Sequence, residues 1–235
     1  MARGKLHRQA ALWFVVLCAS YLGFAYLAAP EFWSFRFLRN GSEPASLLTT
    51  TPDGIPGDPI NIALVGTEED VIQAFSAARW DRAASLSVKS DIEIGESVLL
   101  DRPDVDAPVS TLLFDGRRED IAFEKPVGKS ADQRHHIRLW VTSVAGADSR
   151  PTWYGSASFD RGVGLSHDTG QITHHIAPDI DAERDSLIGD LTAAGRTESI
   201  TTIPGIGFTT TGRNGGGDPY FTDGKVLMAV LVPFK

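Results

Sequence analysis

Histidines are concentrated in one part of the chain. Five of the six lie between positions 135 and 175, the exception being His7. An imidazole titrates near neutral pH, so it can move protons or bind a transition metal. Arginines and an aspartate share the stretch, and clustered titratable groups are typical of functional sites. The candidate site residues are His135, His136, Arg138, Asp160, Arg161, His167, His174 and His175.

The two adjacent histidine pairs restrict what a metal centre could contain. His135 and His136 are neighbours on a predicted strand, so their side chains point to opposite faces. A divalent-metal site would therefore take one histidine from each pair, together with His167 or Asp160. The preferred set is His136, His167 and His174, although no HExxH or HxxxH pattern is present. No other cofactor is predicted.

Two further interpretations of the same residues remain open. In the first, they form a buried polar network on a sheet, with Arg138 paired to Asp160, because buried charges must be paired. In the second, Trp140 and Trp153 line a pocket for a small molecule or a peptide. No Ser-His-Asp triad and no Gly-x-Ser-x-Gly nucleophile turn can be identified.

The elements expected to position these residues are both strands and helices. Residues 136–142 and 152–159 alternate in polarity and predict an antiparallel pair. Residues 181–194 predict a helix, with acidic residues at its start and Gly195 after its end. Other predicted elements are strands at 60–65, 110–114, 121–124 and 225–234, helices at 68–79 and 85–100, and a loop at 205–219. The fold class is therefore α/β or α+β, a single mixed-sheet domain preceded by one transmembrane helix.

The N-terminus predicts a membrane anchor. Residues 10–29 carry no charge and, as a helix of about 30 Å, would match the hydrocarbon core of a bilayer. Residues 1–9 form a basic tail, and Pro30 is expected to end the helix. Residues 30–57 then read as an interfacial segment and a Pro/Gly-rich tether without regular structure, and residues 58–235 as the globular domain. A cleaved signal peptide is the alternative to an uncleaved signal anchor.

Charge is distributed unevenly along the chain. Residues 1–39 have a net charge of +4 and residues 40–235 a net charge of −12. A body this acidic excludes general nucleic-acid binding, which requires cations to neutralise phosphates. The only cysteine, Cys18, lies in the apolar run, so the body has neither a disulfide nor a thiol nucleophile. The positive-inside rule favours a cytoplasmic N-terminus and hence, in a bacterial cell, a periplasmic body on the cytoplasmic membrane.

Four separated runs resemble the LssY C-terminal domain family. They are PVSTLLFDGRREDIAFEKP (108–126), RHHIRLW (134–140), RPTWYGSASFDRGVGL (150–165) and THHIAPDIDAERDSL (173–187). The family is named after a component of a type I secretion gene cluster, and its domain also occurs attached to phosphatase-like and other multi-span membrane regions. The resemblance implies a domain name and a membrane association, but it implies no reaction. This chain departs from the larger relatives in having one short anchor in place of a polytopic region.

Two hypotheses of function follow from the sequence. The first is a single-pass, membrane-anchored accessory or binding domain. It contacts the lipid bilayer through residues 10–29, and its expected partner is a membrane or envelope protein. The second is a metal-dependent hydrolase of an envelope substrate that uses the histidines between positions 135 and 175. The sequence does not decide whether the chain is an enzyme.

Overall fold

A computed structural model of the chain describes residues 2–39, 47–83, 111–128, 133–146, 148–205 and 210–235. The helices are α1 (Ala2–Gly23), α2 (Ala29–Arg39), α3 (Glu68–Ala77) and α4 (Ile180–Ala193). The strands are β1 (Leu48–Thr50), β2 (Pro56–Pro59), β3 (Ile62–Val65), β4 (Asp81–Arg82), β5 (Leu113–Phe114), β6 (Arg117–Arg118), β7 (Ile121–Pro126), β8 (Arg134–Ala145), β9 (Pro151–Leu165), β10 (Ile172–Ile176), β11 (Thr197–Pro204), β12 (Thr211–Arg213), β13 (Pro219–Phe221) and β14 (Lys225–Leu231). The helix expected at 85–100 lies outside the described residues.

The apolar N-terminal segment is one continuous helix in which α1 and α2 are joined by a π-helical turn, Phe24–Ala28. Over His7–Arg36 it is long and apolar enough to cross a membrane. The prediction that Pro30 ends this helix is wrong. The N–H of Ala29 donates to the carbonyl of Phe24, five residues back, and this widened turn just before Pro30 accommodates the missing donor and the bulk of the proline ring.

The body is built on a mixed sheet, as the sequence predicts. Its strand order is β11-β14-β3-β9-β8-β7-β4, with β10 added to β9. Strands β14 and β3 are parallel, and the other pairs are antiparallel. The predicted pairing of residues 136–142 with 152–159 is confirmed as the long β8–β9 hairpin.

Two apolar layers cover the faces of this sheet. On one face, Phe75 of α3 and Leu187 of α4 pack against Ile137 and Leu139 of β8. Helix α3 begins where the sequence predicts, because the side chain of Thr67 caps its N-terminus in a capping box with Asp70. On the other face, a small sheet of order β2-β1-β5-β6 packs against the large one. There Leu112 and Phe114, from β5 and the residue before it, contact Trp140 of β8.

Two segments expected to be irregular contain strands. Strand β1 lies within the expected tether and β2 begins in it; the two strands pair with each other, and β1 also pairs with β5. Thr49 is buried and donates its hydroxyl to the carbonyl of Asp58. Prolines at both ends of β2 are tolerated because it is an edge strand. In the expected loop at 205–219, residues 206–209 lie outside the described residues, and β12 pairs with β13.

These contacts predict where the body can be truncated. We expect a fragment starting at Leu47 to unfold cooperatively. A fragment starting at Asp58 lacks β1 and uncovers Leu112 and Phe114, and burial of such side chains is worth ~1.5–3 kcal/mol each. We therefore expect the shorter fragment to be less stable by a few kcal/mol in urea titrations followed by circular dichroism. Equal unfolding midpoints for the two fragments would contradict this assignment of β1 to the body.

Candidate functional site

Strand β8 separates apolar and charged side chains by simple alternation. Ile137 and Leu139 face the helices, whereas Arg134, His136 and Arg138 face the opposite side and are buried there. Three consecutive inward positions on one strand are therefore titratable. Because burial of a charge is unfavourable without partners, neighbouring elements must supply carboxylates to this column.

Arg134 is held by two acidic residues from the neighbouring strands. It lies 3.0 Å from Asp160 of β9 and 2.8 Å from Glu124 of β7. The expected pairing of Asp160 with Arg138 is wrong, because the antiparallel register places Asp160 opposite Arg134 and Ser156 opposite Arg138. Burial opposes ionisation of Asp160, but His136, His174 and Arg134 outweigh it, so the pKa of Asp160 lies well below its ordinary value.

The hydrogen bonds of His136 fix its tautomer. A guanidinium can only donate, and Arg138 Nη1 lies 3.1 Å from His136 Nε2. Nε2 is therefore the acceptor, which leaves the proton on Nδ1, where Asp160 Oδ1 lies at 3.2 Å. His136 thus lies between the Arg138 guanidinium and the Asp160 carboxylate.

Ser158, His136 and Asp160 follow one another as in the catalytic triad of a serine hydrolase, but the Ser158 hydroxyl is not accessible to a substrate. Its hydroxyl lies 3.2 Å from His136 Nε2, and Asp160 is on the other side of the ring. However, Ser158 is completely buried in β9, and Arg138 already donates to the nitrogen that would have to act as base. The arrangement therefore works as a structural network in this conformation.

Arg138 is the second buried cation of the column. Asp58 Oδ2 lies 3.7 Å from its Nη1 and 3.3 Å from the Ser158 hydroxyl. Burial lowers the pKa of Arg138, and the nearby carboxylates of Asp58, Glu119 and Asp160 partly oppose that shift. Asp58, at the very start of the predicted globular domain, is thus a central member of the cluster.

A cavity of about 250 Å³ opens over these side chains. His136, Arg138 and Asp160 lie on one side of it, and His174 of β10 lies beside them. The opposite walls come from the turn at residues 51–55, from the turn between β9 and β10, and from residues 214–216. Among the described residues, the buried polar atoms of the cavity wall that make no hydrogen bond include Asp58 Oδ1, His136 Nδ1, Asp160 Oδ1 and His174 Nε2. Two of them, His136 Nδ1 and Asp160 Oδ1, lie 3.2 Å from each other.

The N-terminal helix contacts two of the cavity walls. Tyr21 donates its hydroxyl to Gly170 O at 2.7 Å, and Trp33 Nε1 donates to Asp168 O at 2.7 Å. Both acceptors belong to the β9–β10 turn. Ser34 donates to the carbonyl of Asp53 in the other wall. The cavity therefore lies beside the apolar helix.

The remaining candidate residues lie elsewhere. His135 faces the helices, with Nδ1 2.7 Å from Glu183 of α4, and Arg161 is exposed. His167 and His175 meet at Asp218, whereas His136 and His174 line the cavity. The structure therefore does not bring His136, His167 and His174 to one point, because His174 and His175 are consecutive on β10 and point to opposite faces.

Sequence reasoning missed three polar residues of these clusters. Asp58 follows Pro/Gly-rich residues and Asp218 follows three glycines, so both looked like loop residues. Arg134 belongs to the same titratable stretch as the histidine pairs, but it is not among the candidate site residues. Nothing in the local sequence distinguishes these positions, since their roles arise from strand pairing and tertiary contacts.

Stability should distinguish the buried arginine from the exposed one. We expect Arg138→Ala to lower the free energy of unfolding by ~3–5 kcal/mol, because it leaves buried carboxylates uncompensated. Arg161→Ala, the matched control, should change it by less than ~0.5 kcal/mol. Denaturant unfolding of the full chain in detergent, followed by tryptophan fluorescence, measures both. Similar losses in the two variants would contradict the structural role of Arg138.

His174 predicts a pH dependence of stability. Burial lowers the pKa of His174 to about 4, with Asp160 opposing the shift and the nearby cations adding to it. In the unfolded chain a histidine titrates near ~6.5, so between these pH values the unfolded state binds more protons. Stability should therefore fall by ~3 kcal/mol as pH drops from about 6.5 to about 4. Plotted against pH over this range, the unfolding midpoint should change much less for His174→Gln than for wild type. Equal slopes for the two proteins would contradict the assignment of this pH dependence to His174.

Comparison with known proteins identifies the family of this chain. Neither the curated proteins nor the solved structures contain a significant match. The family model described as LssY C-terminus matches residues 42–226, which include β1 and β2 as well as the cavity and both histidine clusters. Since this match covers most of the chain, the protein belongs to the LssY C-terminal domain family.

Proposed function

We propose that this protein is a membrane-anchored binding domain whose cavity, beside the N-terminal helix, holds a small polar ligand. The observation that carries the proposal is the set of buried polar atoms in the cavity wall that make no hydrogen bond among the described residues. Asp58 Oδ1 and His174 Nε2 make no hydrogen bond among the described residues, although both belong to residues that line the cavity. Buried polar atoms are almost always hydrogen-bonded in proteins, so such atoms are expected to meet a ligand or ordered water.

The wall chemistry restricts the class of ligand. Asp58 Oδ1 accepts a hydrogen bond, so the ligand offers a hydroxyl or an ammonium group. His174 is neutral at pH 7 because its pKa is lowered to about 4, and it can either donate or accept. Ile55, Leu112 and Ile176 add apolar surface. The volume of about 250 Å³ is just below the ~300–1,000 Å³ typical of drug-sized ligands. A small molecule with both hydroxyl and apolar groups fits this lining.

A binding role fits the cluster better than hydrolysis does. The buried cations are neutralised by carboxylates, and the Ser158 hydroxyl is enclosed by protein. His167, His175 and Asp218, which come together at one point, are not among the residues that line the cavity. The metal-dependent hydrolase therefore remains the second hypothesis, and a partner protein in the envelope remains a prediction.

Ligand binding can be tested by blocking the cavity. Non-denaturing mass spectrometry of the full chain, extracted from its own membranes in detergent, should reveal a noncovalently bound small molecule. Gln171→Trp places a bulky ring in the cavity wall and should abolish the added mass. Ile200→Trp, on the exposed edge strand β11, should retain it. The proposal fails if wild type carries no bound molecule or if both variants keep it.

Anchoring has its own test. Helix His7–Arg36 has the length and hydropathy of a membrane span, and an uncleaved helix should keep the protein in the pellet after alkaline carbonate extraction. N-terminal sequencing of the extracted protein should start within residues 1–9. A mature start between residues 25 and 45 would show that the helix is a cleaved signal peptide and would end the anchor proposal.

A further inference from the structure

We infer that His167, His175 and Asp218 form a binding site for a divalent transition metal of the zinc class. One ligand atom from each residue lies within 4.8 Å of the other two. The site is separate from the cavity lining and does not depend on which ligand the cavity holds. It differs from the set of three histidines that the sequence favoured. His167 is common to both sets, whereas His175 and Asp218 take the place of His136 and His174.

The geometry around Asp218 suits a metal shared by three ligands. His175 Nδ1 lies 2.8 Å and His167 Nε2 3.4 Å from the same carboxylate oxygen, Oδ1. Bonds of ~2.0–2.2 Å to a tetrahedral zinc ion separate two of its ligand atoms by about 3.4 Å. The His167 separation already has this value, and the His175 separation needs to open by only about half an ångström. Two imidazoles and one carboxylate with an open fourth position form a ligand set that catalytic zinc sites use.

Hydrogen bonds with the backbone of Ile176 and the side chain of Asn214 hold Asp218 in place. Asp218 Oδ2 accepts the N–H of Ile176 at 3.0 Å, and the Asp218 N–H donates to Asn214 Oδ1 at 2.9 Å. Asp218 is completely buried, so its charge requires a cationic or strongly donating neighbour. Fixed outer hydrogen bonds of this kind orient metal ligands in known sites.

Two glycines make room for the imidazoles. A Cβ on Gly164 would lie 2.5 Å from His175 Nε2, so the ring could not occupy its position over a larger residue. Gly217 has a φ of +82°, and a Cβ there would lie 3.0 Å from the Cβ of His167. The side chain of His167 is 56% exposed. The cluster is therefore closed on the protein side and open to an ion from solvent.

A metal here would tie together two walls of the cavity. His167 belongs to the β9–β10 turn, and its N–H donates to Gly216 O at 2.9 Å. Asp218 lies two positions after residues 214–216, which line another wall of the cavity. Coordination would add a bond between these segments, so the ion should stabilise the folded chain by binding only its native state.

The test uses Zn²⁺ alone as the probe. The full chain in detergent is freed of metal with a chelator and titrated in competition with a chromophoric chelator. Wild type and His7→Ala, which removes a histidine outside the cluster, should each bind one ion and melt at a higher temperature with Zn²⁺. His167→Ala should bind at least tenfold more weakly and show no such shift. Because His167 is exposed, this variant should melt like wild type without metal.

Two results would overturn the inference. One is the absence of stoichiometric binding to wild type, and the other is equal affinity in wild type and His167→Ala. If His167→Ala fails to fold, His167→Gln keeps a polar side chain in the turn and gives the same comparison. Co²⁺ substitution provides a second readout, since strong visible absorption bands in wild type and their loss in the variant report four-coordinate binding. Weak, six-coordinate bands in wild type would contradict the ligand set.

Discussion

Burial of two arginines on one strand is the constraint on which the rest of the body depends. Arg134 and Arg138 lie on the inner face of β8, both almost inaccessible to solvent. Each needs a carboxylate that its own strand does not provide. Glu124 comes from β7, Asp160 from β9 and Asp58 from β2. The register of the central strands and the position of the small sheet are therefore tied to charge neutralisation as well as to apolar packing.

This arrangement explains why one face of the large sheet carries a continuous apolar core, whereas the other face is part apolar and part charged. Toward α3 and α4 a continuous apolar core forms, with the pair of His135 and Glu183 on the same face. On the other face, Trp140 and Phe114 form an apolar region, while His136 and Arg138 leave the cavity beside it. A charged column cannot be covered by close-packed aliphatic side chains, because its polar atoms would lose their partners. The space above it is consequently enclosed by loops with hydroxyl, amide and glycine residues.

The sequence predicted features that depend on local patterns. The alternation in residues 136–142 identified β8, and acidic residues with a final glycine identified α4. It failed where tertiary context decided the outcome. The run with four prolines and three glycines at 40–59 looked irregular, yet β1 and β2 form because β5 offers an edge to pair with. Asp160 could be assigned to Arg134 only once the strand register was known.

The contact between Tyr21 and Gly170 has a consequence for how any ligand arrives. Tyr21 precedes Arg36 by fifteen positions in a continuous helix, a rise of about 22 Å. If the helix spans a bilayer, the contacts of Tyr21 and Trp33 with the β9–β10 turn keep that turn, with the exposed Leu165 and Ile172, next to the membrane surface. The cavity wall that this turn forms would then lie close to the lipid phase. Molecules that partition into the membrane would reach it by lateral diffusion in two dimensions, and their concentration in the bilayer would govern occupancy.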